Sequence, residues 1–232
     1  MPSLPRSLRS PASVAAVVGL ALVVLGLVAF VAVYDWVQNR EDLARYDQPI
    51  LDALVAVRSA PTTAILTTVT TVSGPVVLPM LVALGALLWG FRGRQWWSAG
   101  LLVGAMVVAV GSSTVIKIAV GRARPDQTLW VVPGAESSAS FPSGHTIGAA
   151  TFLLVLGYLA WVRNPTWRTA TAWLVAAVLG MALVAFSRLY LGYHFATDTV
   201  ASMALALAVL GGVVMLDRRR AAGAARATVG RD

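Results

Sequence analysis

The 232-residue chain has no cysteine, so disulfides and thiolate metal sites are excluded and the redox state of its compartment leaves no mark on it. Charge is scarce as well: 12% of residues are Asp, Glu, Lys or Arg, against about 25% in ordinary soluble domains. There is a single lysine, Lys117, and there are two histidines, His145 and His194. In a chain that otherwise takes its cations from arginine, these rarities mark places where one particular head group is needed. Apolar residues fill the space that charge leaves: 58% are hydrophobic and the mean hydropathy is +0.76. That composition excludes an ordinary water-soluble domain and makes lipid the solvent for most of the chain.

Six stretches are long and apolar enough to cross a bilayer: residues 14–33, 75–91, 97–116, 146–162, 170–186 and 199–216. The first follows Arg6 and Arg9 as a secretory signal would. Its apolar run of about 20 residues exceeds the usual 7–15 of a cleaved signal, and it is read as an anchor. No internal repeat divides the chain into the related halves of many transporters. The expectation is an all-α integral membrane protein, one domain over residues 1–232 with six transmembrane helices. The positive-inside rule places both termini in the cytoplasm, because Arg92, Arg94, Arg163, Arg168 and the Arg-rich tail 217–232 then lie inside. A basic tail beside an anionic leaflet is a topology signal, so the net charge of +8 does not point to nucleic acid.

Between the first two spans, Asp35, Arg40, Glu41, Asp42, Arg45, Asp47, Asp52 and Arg58 alternate with Ile50, Leu51, Leu54 and Val55, which predicts amphipathic helices on the membrane surface. The Thr-rich stretch 62–72 is read as one of them, partly buried. The next segment on that side, 117–143, holds Gly121, Pro125, Pro133, Gly134 and Pro142 and cannot be one helix. The last, 187–198, is short and polar. Gly100 with Gly104, and Gly144 with Gly148, are spaced for close approach of helices. Trp89, Trp96, Trp97, Trp161 and Trp167 form an aromatic belt at the inner interface.

Ionisable residues beside membrane spans are expensive, and here they cluster. Lys117, Arg122 and Arg124-Pro125, then Pro142-Ser143-Gly144-His145, then Ser187-Arg188 with His194 and Asp198, all fall at the outer ends of spans three to six and converge on one site. Lys117, Arg124 and Arg188 are suited to a phosphate dianion. Each opposite charge about 4 Å away contributes roughly 4 kcal/mol at an effective dielectric near 20, before desolvation is subtracted. Pro125 turns Arg124 off the end of its span. Ser143 and Gly144 open a helix whose free N–H groups favour an anion, Gly144 leaving room for close approach and Ser143 offering a hydroxyl. His194 and Asp198, four apart, share a helix face, so the carboxylate can hold one ring nitrogen while the other attacks phosphorus. His145 remains to protonate the leaving oxygen and then to serve as base. No His/Asp cluster with metal spacing is left over, so neither metal nor cofactor is called for. Arg122 lies outside the paired positions and is read as a solvated or headgroup-facing charge, and Asp126 and Glu136 as loop charges.

The spacing Lys-x6-Arg-Pro, Pro-Ser-Gly-His, Ser-Arg-x5-His-x3-Asp resembles that of the type 2 phosphatidic acid phosphatase (PAP2) superfamily, with every fixed position present over 117–198. The resemblance implies Lys117, Arg124, Ser143, Gly144 and Arg188 as phosphate binders, His145 as acid and base, His194 as nucleophile and Asp198 as its partner. It also implies a lipid phosphate or diphosphate as substrate, hydrolysed at the outer leaflet of the plasma membrane. Polyprenyl diphosphates, phosphatidate and phosphatidylglycerophosphate are the family's substrates. An outward site, a compact chain and an Arg/Ala/Val-rich composition of GC-rich bacterial type make undecaprenyl diphosphate the expected one. Two competing readings are an anionic-lipid binding or transport protein, which would need the cations without the nucleophile, and a phosphotransferase or vanadate-dependent haloperoxidase of related fold. Nothing in the sequence specifies an oligomeric state.

Overall fold

The computed structural model describes residues 11–229. Arg6, Arg9, Arg231, Asp232 and the side chain of Arg226, all part of the charge asymmetry, lie outside the described residues. Among the described residues there are eight α-helices and no strand: α1 Pro11–Asn39, α2 Asp47–Ala56, α3 Ala60–Val72, α4 Val77–Gly93, α5 Trp96–Val120, α6 Gly144–Arg163, α7 Trp167–Tyr190 and α8 Ala196–Val229. In lipid every backbone N–H and C=O must find its partner inside the segment, so long runs of Ala, Val, Leu and Gly become helices. Five of these helices, α1, α5, α6, α7 and α8, are long and apolar enough to span. The 17 residues of α4 fall just short, and α3 and α4, which meet at a 51° bend, reach the length and hydropathy of a sixth crossing only when taken together.

Leu78 and Val82 of α4, Leu102 and Met106 of α5, Val155 and Leu159 of α6, Val184 of α7 and Val213 of α8 meet in the principal core. The most buried helices are α6 and α8, while α1 and α7 show most of their surface outward. Helix α1 lies along α8 with the two backbones nearly touching. A side chain at Gly211 would strike the carbonyl oxygen of Gly19, and one at Gly26 would come within 2.5 Å of the Ala204 carbonyl oxygen. The expected approach at Gly100 and Gly104 is not found, because a methyl group at either would meet open space. Spacing alone marks a smooth helix face; a partner on that face is a tertiary fact.

Several helices run past the ends expected from hydropathy. Lys117 belongs to the last turn of α5 rather than to the following loop, and Ser187 and Arg188 belong to α7. Residues of the Arg-rich tail up to Val229 continue α8. Polar residues do not end a helix when they point at polar partners instead of lipid. Where surface helices are expected between the first two spans, two helices form, α2 and α3, and the second of them continues through the bend into α4. Ser59 caps α3 by accepting from the Thr62 N–H at 3.4 Å, and Leu66 packs on Trp130, Tyr190, Leu191 and Tyr193.

At the end of the bundle away from these helices, the Trp97 indole and the Tyr158 hydroxyl donate to the two oxygens of Asp217, at 2.9 and 2.8 Å, tying α5, α6 and α8 together. Arg163 stacks over Trp89 and Arg220 over Trp97, at 4.1 and 4.3 Å. The aromatic belt is thus braced by the arginines of that end.

Candidate active site

Three chain reversals bring the charged segments together. Helix α5 stops where Gly121 takes φ +62 and its N–H donates to the Lys117 carbonyl at 3.0 Å, a left-handed C-cap that only glycine adopts without strain. The chain then leaves the bundle through Arg122 and Arg124-Pro125. Helix α6 starts at Ser143, whose hydroxyl oxygen accepts from the Thr146 N–H and hydroxyl, at 3.4 and 3.1 Å. Between α7 and α8, Gly192 has φ +85 and packs on the Leu129 carbonyl where no side chain would fit. Six residues further on, Asp198 in the first turn of α8 accepts the Phe195 N–H at 2.9 Å. The Asp198 carbonyl accepts the Ser143 N–H at 3.2 Å, and the Ser202 hydroxyl donates to the Ser143 carbonyl at 3.0 Å, which locks the starts of α6 and α8 to each other.

His194, 1% exposed, sits at the centre. Its Nδ1 is 3.1 Å from Oδ2 of the wholly buried Asp198, and its Nε2 is 3.1 Å from Nη1 of Arg124. Arg124 is held in turn by the Ser138 carbonyl at 2.7 Å, the Tyr193 carbonyl at 2.8 Å and Oε2 of Glu136 at 3.0 Å. Arg188, 1% exposed, donates to the Thr70 hydroxyl at 2.6 Å and to Oε1 of Glu136, with the Tyr193 ring 4.5 Å from its guanidinium. The Lys117 ammonium donates to the Ala139 carbonyl.

A cavity of about 450 Å³ joins these groups. Lys117, Arg124, Glu136, Gly144, His145 and His194 are among its polar lining, and Pro75, Leu78, Pro79, Met106, Val110 and Ile118 among its apolar lining. Val110 and Ile118 are 43% and 80% exposed, so the cavity reaches the outer surface of the bundle beside apolar side chains. Gly144 has open space where a Cβ would stand. Of the residues expected at the site, Lys117, Arg124, Gly144, His145 and His194 therefore line one cavity. Asp198 and Arg188 stand behind its wall, reaching it through His194 and Glu136. The Ser143 hydroxyl is engaged in the helix cap and does not line the cavity.

Two readings from sequence are corrected. Glu136 is not a solvated loop charge, because it clamps Arg124 and Arg188 with one oxygen each. Arg122 is not headgroup-facing: its side chain is 16% exposed and pairs with Asp198 and Asp47. Asp126 does stay in the loop, where it caps the short turn after it by accepting the Thr128 N–H at 2.8 Å. Asp47, Thr197 and Ser140 have no motif to reveal them, since each is identified only by the partner it meets. Among the described residues no group of three His, Asp or Glu side chains is placed to hold a metal ion.

Burial holds the His194 imidazole below its ordinary 6.5, down to about 3, against the upward pull of Asp198. The ring is therefore neutral at pH 7. Between pH 6.5 and about 3 the unfolded chain takes up a proton that the folded one refuses, so this contribution to stability is complete above 6.5 and drains as the pH falls. The unfolding temperature in detergent, followed by tryptophan fluorescence, should drop between neutral and mildly acidic pH. The drop should shrink in His194→Gln.

The family model that matches the sequence is the PAP2 superfamily, over residues 98–221, more than half of the chain. This chain belongs to the PAP2 superfamily. It is 33% identical over 168 residues to phosphatidylglycerophosphatase B of Bacillus subtilis, covering 69% of this chain and 78% of that one. It is 34% identical over 136 residues to decaprenylphosphoryl-5-phosphoribose phosphatase of Mycobacterium tuberculosis, covering 58% and 68%. Its fold superposes with a TM-score of 0.72 on a transmembrane PAP2-type phosphatidylglycerolphosphate phosphatase from Bacillus subtilis, at 27% identity, over 87% of this chain and 96% of that one. This PAP2 protein is a multi-pass membrane lipid phosphatase, a phosphoric-ester hydrolase.

Proposed function

We propose that the enzyme hydrolyses a lipid phosphate or diphosphate through a phosphohistidine on His194, without a metal, at the extracytoplasmic face of the plasma membrane. The observation that carries this reading is the placement of His194, with Nδ1 on Asp198 and Nε2 beside Arg124 at the wall of a cavity lined by cations and by apolar side chains. Asp198 keeps the proton on Nδ1, which leaves the lone pair on Nε2. That lone pair attacks phosphorus while the bond from phosphorus to the ester or diphosphate oxygen breaks. The departing oxygen takes the proton of His145. Water then attacks the phosphohistidine, giving a proton back to His145, and the N–P bond breaks with its electron pair returning to Nε2. Lys117 and Arg124 neutralise the phosphoryl oxygens, assisted by Arg188 and by Gly144 at the start of α6.

These roles fall to one catalytic domain. The extracytoplasmic orientation is supported by Arg92, Arg94, Arg163, Arg168 and Arg218 to Arg220 at the end of the bundle away from the site. Undecaprenyl diphosphate is the substrate to which the composition and the outward site point. Phosphatidylglycerophosphate is the second reading, favoured by the activity in the name of the 33%-identical relative.

The test is phosphate release by detergent-purified enzyme in EDTA from undecaprenyl diphosphate, phosphatidylglycerophosphate and phosphatidate. Release from at least one, undiminished by EDTA, is the expected result, and the rates rank the substrates. Folded protein that binds these lipids and releases no phosphate would return the chain to the binding or transport reading.

A further inference from the structure

Arg122 closes a buried ring of charge on the side of Asp198 that faces away from the cavity. Its Nη1 donates to Asp198 Oδ1 at 2.6 Å and to the Thr197 hydroxyl at 2.7 Å, and its Nη2 donates to Asp47 Oδ2 at 2.7 Å. Asp47, on the surface helix α2, completes the ring by accepting the Thr197 N–H at 3.0 Å and the Thr197 hydroxyl at 2.6 Å. The guanidinium lies over the Phe195 ring at 4.6 Å. Asp47 and Asp198 are 5% and 0% exposed in their side chains. Arg122 does not line the cavity that holds Lys117, His145 and His194.

We propose that Arg122 is a positioning residue for the reaction, acting through Asp198, and that Asp47 makes helix α2 part of the same support. The proposal rests on the reading of His194 as nucleophile and Asp198 as its partner. A carboxylate has two equivalent oxygens and turns easily about its last bond. Asp198 Oδ2 already serves His194, Ser140 and the Phe195 N–H. Arg122 occupies Oδ1, so the carboxylate cannot rotate, and Oδ2 stays on Nδ1. The same cation balances the buried charge of Asp198, which remains an acceptor and leaves the proton on His194. Two flat, divergent N–H edges are needed to reach Asp198 and Asp47 together, a task a guanidinium performs and an ammonium does not. Because Arg122 stands outside the cavity, its loss should slow turnover without weakening lipid binding.

The experiment measures kcat and KM of Arg122→Gln, Arg122→Lys, Asp47→Asn, the Arg122→Gln/Asp47→Asn double variant and His194→Ala, on whichever lipid phosphate the wild type hydrolyses. Arg122→Gln should lower kcat on the order of 10- to 100-fold, the usual range for a residue that orients a reacting group, with KM essentially unmoved. Arg122→Lys should recover part of the loss. Asp47→Asn should lower kcat less, and the double variant no further than Arg122→Gln, because both act through one network. Wild-type kcat in Arg122→Gln beside inactive His194→Ala would overturn the proposal. So would a loss carried wholly by KM, which would make Arg122 a phosphate ligand. Activity surviving in His194→Ala would instead overturn the reading beneath it. Should Arg122→Gln not fold as a monodisperse protein, the same split in Arg122→Lys and Asp47→Asn decides.

Discussion

His194→Ala is expected to cut phosphate release by on the order of a thousandfold or more, the scale seen when a covalent nucleophile is removed. The other nitrogen groups on the cavity wall are committed elsewhere. Lys117 and Arg124 are committed as cations, with Lys117 also donating to a carbonyl and Arg124 to Glu136. His145 opens α6 on another part of the wall and is needed as the proton donor. The substitution does not strand Asp198, which keeps Ser140, the Phe195 N–H and Arg122 as donors. The variant should therefore fold and bind lipid, and a melting curve with a binding isotherm separates lost chemistry from lost structure.

Arg188→Ala is expected to damage both stability and turnover. The side chain is 1% exposed, clamps Glu136 together with Arg124, reaches across to Thr70 of α3 and lies over Tyr193. Removing one member of a buried ion pair typically costs about 3–5 kcal/mol. The loss here should fall toward the lower part of that range, because Glu136 is 17% exposed and retains Arg124. Activity should fall on the order of 10- to 100-fold, because Arg188 stands behind the cavity wall and acts through Glu136, which holds Arg124. Arg188→Lys keeps the charge and loses the fork, so it should rescue stability more than rate. Unfolding temperature and kcat/KM, measured on both variants, check the two parts separately.

The fold and the site were legible in the sequence to different depths. Apolar length revealed the spans, because lipid imposes that requirement on the chain locally. It did not reveal their ends, since Lys117 and Arg188 face the interior and hydropathy counts them as breaks. The stretch 75–91 reads as a span of its own, whereas helix α4 is too short to cross alone and reaches that length only with α3 across a 51° bend, a junction that hydropathy does not show. Close helix packing was expected at Gly100 and Gly104 and occurs at Gly19, Gly26 and Gly211, because the spacing of small residues does not name a partner.

At the site, His194, His145 and Lys117 stood out because their residue types are rare in this chain. Arg122, Asp47 and Glu136 did not, because a charge in sequence is silent about its partner. Asp47 meets Thr197 across 150 residues and Glu136 meets Arg188 across 52, separations at which no local pattern survives.

The central claim is that the phosphoryl group passes through His194. Rapid quenching of the enzyme during turnover, in base where phosphohistidine survives, followed by peptide mass spectrometry, tests it most directly. The account predicts a phosphoryl group on His194 that forms with substrate and disappears when substrate is exhausted. A phosphoryl group on another residue, or steady turnover by His194→Ala, would contradict it.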